Sequence, residues 1–132
     1  MATIYKEFSV ESSAARVWQR LRDFYALHER LAPGFVTACH EEDGARVITF
    51  FNGLVTRERL VGIDDAHLRV SYTVVGGKAA HHHASAQVFP DAEDHCRFVW
   101  ITDVLPDELA TPIAQMMDRG CAVMKATLEA AD

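Results

Sequence analysis

No stretch of this sequence approaches the roughly 18 consecutive apolar residues that a membrane-spanning helix needs, and Lys and Arg nowhere form a block. Nucleic-acid backbone binding, membrane insertion and a basic membrane-surface patch are therefore not expected, and the net charge of -6 points the same way. Cysteine is scarce. Cys39, Cys96 and Cys121 are odd in number, far apart and free of any Cys-x-x-Cys pair, which removes a disulfide framework and leaves reduced, buried thiols. A Gly-rich phosphate loop, a Ser-His-Asp order and a supported Cys-His pair are also missing, so no cofactor and no resident metal are expected. Met1–Glu7 has no apolar h-region, and a cytoplasmic location is the expectation.

What is present is a chain of 132 residues without repeats or linkers. That length suits one domain, 1–132, able to bury about two thirds of its unfolded surface. Thr3 to Val10 alternates as a strand. Ser12-Ser13 then caps an amphipathic helix with Ala14, Val17, Trp18 and Leu21 on one side, and a second short helix runs from Phe24 until Pro33-Gly34 stops it. Turn signals at Asp43-Gly44, Asn52-Gly53, Asp64-Asp65, Gly76-Gly77 and Pro90-Asp91 divide the rest into strands near 35–42, 45–52, 54–63, 67–75, 79–89 and 94–104. The first two signals read as two-residue primed hairpins. Pro106 to Ala131 carries the one long helical pattern, with Thr111 as cap and Pro112 in the first helical position. The predicted fold is α+β: a seven-stranded antiparallel sheet wrapped around a long C-terminal helix, with two short helices after the first strand.

Alternation decides which strand residues face that helix. It places Arg46, Ile48 and Phe50 on one inward face, Glu58 on another between Thr56 and Leu60, then Leu68, Val70, Tyr72 and Val74. His82, Ala84, Ala86 and Val88 follow, and Cys96, Phe98, Trp100 and Thr102 complete the wall. The helix answers with Ile113, Met116, Met117, Gly120, Met124 and Leu128. Flexible methionines and a glycine fill space poorly against small alanines, so this helix and sheet are expected to leave a cavity. Gly120→Leu or Ala84→Leu should then fill it and raise the melting temperature.

Three polar features stand out. Glu58 on a buried face needs a partner, water or a raised pKa, and Arg46 on the adjoining strand is the natural partner. It reads as a polar anchor or proton acceptor in the cavity, as one half of a structural pair, or as an exposed acid among Arg57 and Arg59. His82 faces inward and reads either as a ligand contact or as a core histidine. His81 and His83 share the outer face, where His83 would meet Ile101 and His81 would approach Asp103. That grouping lacks metal-ligand spacing.

The segments Asn52-Gly53-Leu54, Arg57-Glu58-Arg59-Leu60, Ile63-Asp64-Asp65, Tyr72-Thr73-Val74-Val75-Gly76-Gly77 and Val99-Trp100-Ile101-Thr102 before Leu105-Pro106-Asp107 resemble the START-like, helix-grip (SRPBCC) superfamily. Within it the chain resembles the bacterial polyketide cyclase/dehydrase and lipid transport group, over nearly its whole length. The same segments are similar to the abscisic acid receptors, whose Glu-Arg-Leu strand, gate loop and Gly-Gly turn they match. That resemblance implies a pocket acid at Glu58 and wall positions at Tyr72 and Val74. The stretch after Gly53 is shorter than the receptors' gate, Lys78-Ala79-Ala80 replaces their latch, and Thr37 stands near their pocket lysine. Residues and resemblance together suggest a binding protein for a small hydrophobic or aromatic molecule, monomeric or homodimeric. Its candidate contacts are Arg46, Phe50, Glu58, Tyr72, Val74, His82, Ala84, Ala86, Phe98, Trp100, Met116, Gly120 and Met124. The alternative is a cyclase/dehydrase-like enzyme using Glu58, His82 or both for proton transfer.

Overall fold

Residues 1–130 are described by a computed structural model; Ala131, the predicted end of the helix, lies outside the described residues. Seven strands form one antiparallel sheet: β1 (Ala2–Val10), β2 (Val36–Glu42), β3 (Ala45–Phe50), β4 (Val55–Asp64), β5 (Arg69–Val75), β6 (His81–Ala92) and β7 (His95–Leu105). Their spatial order is β1-β7-β6-β5-β4-β3-β2. Between β1 and β2 run α1 (Ala14–Arg22), a short 3-10 turn and α2 (Leu27–Arg30), and the chain closes with α3 (Ala110–Glu129). The predicted architecture is the one observed. Among the described residues no helix is long and apolar enough to cross a membrane.

Ser13 caps α1 by accepting the Arg16 N–H, as the sequence indicated. Val17, Trp18 and Leu21 turn their buried side into the core, where Phe98 stacks on Phe8 with ring centroids 4.8 Å apart. Each such fully buried side chain contributes about 1.5–3 kcal/mol. The long helix is fastened along β1 at two points. Lys6 pairs with Asp118 near the middle of the helix at 2.7 Å, and the Glu11 amide, just past β1, donates to Glu129 at the helix C-terminus at 2.9 Å.

Four local expectations fail, each for an identifiable reason. α3 starts at Ala110 with Leu109 as its cap residue and no capping side chain, because a 3-10 turn at Asp107–Leu109 leads directly into it. Pro112 still sits in the first turn, where its missing N–H costs no intrahelical bond. β6 runs through Pro90 to Ala92, since the irregularity between Pro90 and Ala92 accommodates the ring. The longer hairpin shifts the register, so His83 lies opposite Asp103 and His81 opposite Leu105. Ser71 and Ser85 do face away from α3, but they are buried opposite one another across β5 and β6.

The fourth correction matters for the site. Asp43 and Gly44 both take positive φ, as a primed two-residue turn requires, whereas at the next hairpin only Gly53 does. There β3 ends at Phe50 and β4 begins at Val55. Asn52 Oδ1 accepts the Leu54 amide at 3.1 Å, and the Phe51 amide donates across to the Phe35 carbonyl at 3.0 Å. The widened loop holds Phe51 and Leu54 out beside α3.

Candidate functional site

Between the sheet and α3, two adjacent lobes open. The inner one, about 60 Å³, lies among Leu21, Leu31, Ile48, Val70, Ala86, Phe98 and Met124. The outer one, about 200 Å³, is bounded by Leu54, Thr56, Val74, His82, Thr102, Pro112, Ile113, Met116 and Met117. Phe35, Phe50, Glu58, Tyr72 and Trp100 border both and so form the neck. At the outer rim Leu54 is half exposed, and Arg119 of α3 lies 4.0 Å from the centre of the Phe51 ring. Such a cation–π contact at an exposed site contributes about 0.5–1 kcal/mol, enough to favour one loop position without fixing it.

The neck carries the polar chemistry. Arg46 and Glu58 stand directly opposite one another on β3 and β4, and both are buried. Arg46 donates from Nε to Glu58 Oε1 at 2.8 Å and from Nη1 to the Phe24 carbonyl at 3.1 Å, and its Nη2 forms an ion-pair contact with the same carboxylate oxygen at 2.8 Å. Its guanidinium also lies 3.9 Å from the Phe24 ring centre and 4.9 Å from that of Tyr72. The charge of the arginine is thus balanced by Glu58, and two of its five N–H donors are spent in hydrogen bonds to Glu58 and Phe24. The second oxygen of Glu58 accepts no bond from any described residue.

Tyr72 accepts the Trp100 indole N–H at 3.1 Å. Burial, and after it the charge of Glu58, drives the phenol far above its ordinary pKa, so it stays protonated at any physiological pH. Thr56 borders the outer lobe, but its hydroxyl is closed off from that space and meets no hydrogen-bond partner among the described residues. His82 faces the same lobe; desolvation, then the neighbouring His81, pulls its pKa down. His82 therefore binds a proton more readily unfolded than folded, and stability falls as pH drops below the unfolded value of about 6.5. Between pH 7.5 and 5.5 wild type should lose more thermal stability than His82→Gln; parallel melting curves would remove this role for His82.

Of the residues singled out in the sequence, Phe50, Glu58, Tyr72 and Trp100 border both lobes. Arg46, Ala86, Phe98 and Met124 border the inner lobe, and Val74, His82 and Met116 the outer. Ala84 and Gly120 line neither. At Gly120 the helix is approached by rings rather than by open space: a Cβ there would lie 3.0 Å from Phe35 and 3.1 Å from Trp100. The glycine lets aromatic walls close up on the helix, which is the reverse of the hollow expected from its small size. Sequence reading missed Phe35, one of the rings that border both lobes. It stood at the start of the predicted strand 35–42 with no face assigned, whereas β2 begins at Val36 and Phe35 lies just before it. Thr56 was placed on the Glu58 face, yet nothing in its neighbours foretold an unpaired hydroxyl.

His81, His83 and Asp103 do not converge, and among the described residues no group of three or more His, Cys, Asp or Glu side chains is arranged to hold a metal. Cys121 borders neither lobe; burial, then Asp118, pushes its thiol up to about 11, so it is no nucleophile near neutral pH.

Residues 1–129 match the family model described as "Polyketide cyclase / dehydrase and lipid transport". Among solved structures, a Thermobifida fusca protein superposes with a TM-score of 0.79 at 28% identity, covering 98% of this chain and 91% of the other. A START superfamily protein from Mycobacterium smegmatis gives 0.74 at 14% identity, with 96% and 97% covered. Norcoclaurine synthase from Thalictrum flavum, solved with dopamine and hydroxybenzaldehyde, gives 0.70 at 19% identity, with 99% and 88% covered. No curated protein sequence matches the chain.

Proposed function

The chain belongs to the polyketide cyclase/dehydrase and lipid transport family, and on that premise we propose that it is a cytoplasmic, single-domain binding protein for a small, mostly apolar molecule held between sheet and α3. The observation that carries this reading is the two-lobed space with an apolar wall and its few polar groups gathered at one neck. The wall is mostly apolar, so a guest of matching shape would remove that surface from water and stabilise the folded chain by binding it.

A cyclase-like reading has one observation in its favour, that Glu58 and His82 both border the outer lobe. Proton transfer at a reacting centre usually needs an acid and a base each placed for its task. Here one oxygen of Glu58 is held by Arg46, and among the described residues His82 makes no hydrogen bond that would orient its ring. The binding reading is preferred.

The test is saturable uptake of the apolar dye N-phenyl-1-naphthylamine, followed by its fluorescence. Val74→Trp sets an indole into the outer lobe. It should weaken uptake at least tenfold, about 1.4 kcal/mol, while the melting temperature stays within a few degrees of wild type. No saturable uptake, or uptake indifferent to Val74→Trp, would overturn the proposal. Recovery of bound guests chemically unchanged after incubation supports a carrier over an enzyme.

A further inference from the structure

Which polar group the guest carries can be inferred from the hydrogen-bonding capacity that the neck leaves unspent. Arg46, the one cation among the described residues that borders the lobes, is paired with Glu58, donates to the Phe24 carbonyl and is flanked by two rings. Its charge is neutralised by Glu58 at 2.8 Å, which leaves little attraction for a ligand anion. The Trp100 indole N–H is likewise spent on Tyr72. Two groups remain. Glu58 Oε2 is an acceptor on a side chain only 7% exposed, and it meets no donor among the described residues. The Tyr72 oxygen, on a side chain 5% exposed, already faces the donors of Trp100 and Arg46, and its own O–H has no acceptor among the described residues.

The two side chains are diagonal neighbours on one face. Glu58 stands across from Val74 on β5, Tyr72 is the next inward residue along that strand, and the charge of Glu58 acts on the phenol. Buried polar groups are ordinarily bonded, so a vacant acceptor beside a vacant donor marks where a partner atom belongs. One ligand atom that donates to the carboxylate while accepting from the phenol satisfies both, and a hydroxyl oxygen does this. An ammonium cannot accept from Tyr72. A carboxylate or ester cannot donate to Glu58, and a carboxylate also brings a second negative charge against it with no free cation to offset the repulsion.

Resting on the cavity reading above, we infer that the neck selects apolar guests bearing a phenolic or alcoholic hydroxyl and refuses carboxylates. The experiment is displacement of N-phenyl-1-naphthylamine at pH 7 by three compounds of one shape: 2-naphthol, 2-methoxynaphthalene and 2-naphthoate. Naphthol should bind at least tenfold more tightly than its methyl ether, which lacks the donor, and naphthoate should be the weakest. Glu58→Gln offers Arg46 an oxygen but can turn an amide N–H toward the guest in place of an acceptor, so the preference for naphthol over the ether should collapse to within about threefold. Should that variant fail to fold, the wild-type ratios still decide, and Tyr72→Phe should weaken naphthol binding while leaving the ether unchanged. Dye uptake with ether or naphthoate binding as tightly as naphthol overturns this selection alone. Absence of dye uptake overturns the cavity reading and the selection with it.

Discussion

Arg46→Met is expected to destabilise the protein by about 3–5 kcal/mol, because it leaves the buried Glu58 carboxylate without its cation. The wild-type pair owes its tolerance of burial to geometry: two guanidinium nitrogens on one oxygen at 2.8 Å, a third on a backbone carbonyl, and aromatic rings against the flat faces. Removing one partner forfeits the attraction and keeps the desolvation of the other. The double variant Arg46→Met/Glu58→Leu should recover most of the loss, since a well-packed apolar pair at such a site is often neutral or better. Urea midpoints with unchanged slope measure both. A single-variant cost below about 1 kcal/mol would mean that the carboxylate reaches water or takes up a proton readily, and the neck would then be wetter than its burial implies.

Gly120→Leu is the second large effect, and its sign reverses what the sequence suggests. Leucine exceeds glycine in helix propensity by up to about 1 kcal/mol, and a hollow core would add further stabilisation. The structure removes that gain. Already a Cβ would press on Phe35 at 3.0 and 3.2 Å and on Trp100 at 3.1 Å, and the rest of the leucine would have to displace both rings. Overpacking of this kind costs about 1–3 kcal/mol, and the rings can retreat only toward the lobes they border. The variant should therefore melt at a lower temperature and lose dye uptake at least tenfold. A higher melting temperature with uptake retained would overturn the close packing of Phe35 and Trp100 against the helix at Gly120.

The Arg46–Glu58 pair shows how far the sequence reaches and where it stops. Alternation put both side chains on inward faces, and the pairing of their strands followed from the turn signal between them. Yet a two-residue turn at Asn52-Gly53 would set Arg46 opposite Arg59. The observed register sets it opposite Glu58, because the loop is wider, with Phe51 bonded to the Phe35 carbonyl and its ring packed against Phe35. Phe35 precedes β2, and only the closed fold brings it to this hairpin. A tertiary contact thus decided a local register, and with it the charge pairing at the neck.

Gly120 fails in the opposite manner. A small residue on a helix face permits either a void or a close neighbour, and spacing along the helix cannot distinguish them. His83 and Asp103 come opposite one another only because the sheet absorbs Pro90 within a strand.

The sequence by itself determined the order of elements, the inward and outward faces of most strands, and the presence of one acid among apolar walls. Those follow from periodicity and from the cost of burying unpaired charge, which act over a few residues. Hairpin register, the meeting of Phe35 with α3 and the hydrogen bonds left unmade at Glu58, Tyr72 and Thr56 were decided by tertiary structure alone. They depend on distances between segments far apart in the chain, which packing sets and no local pattern encodes.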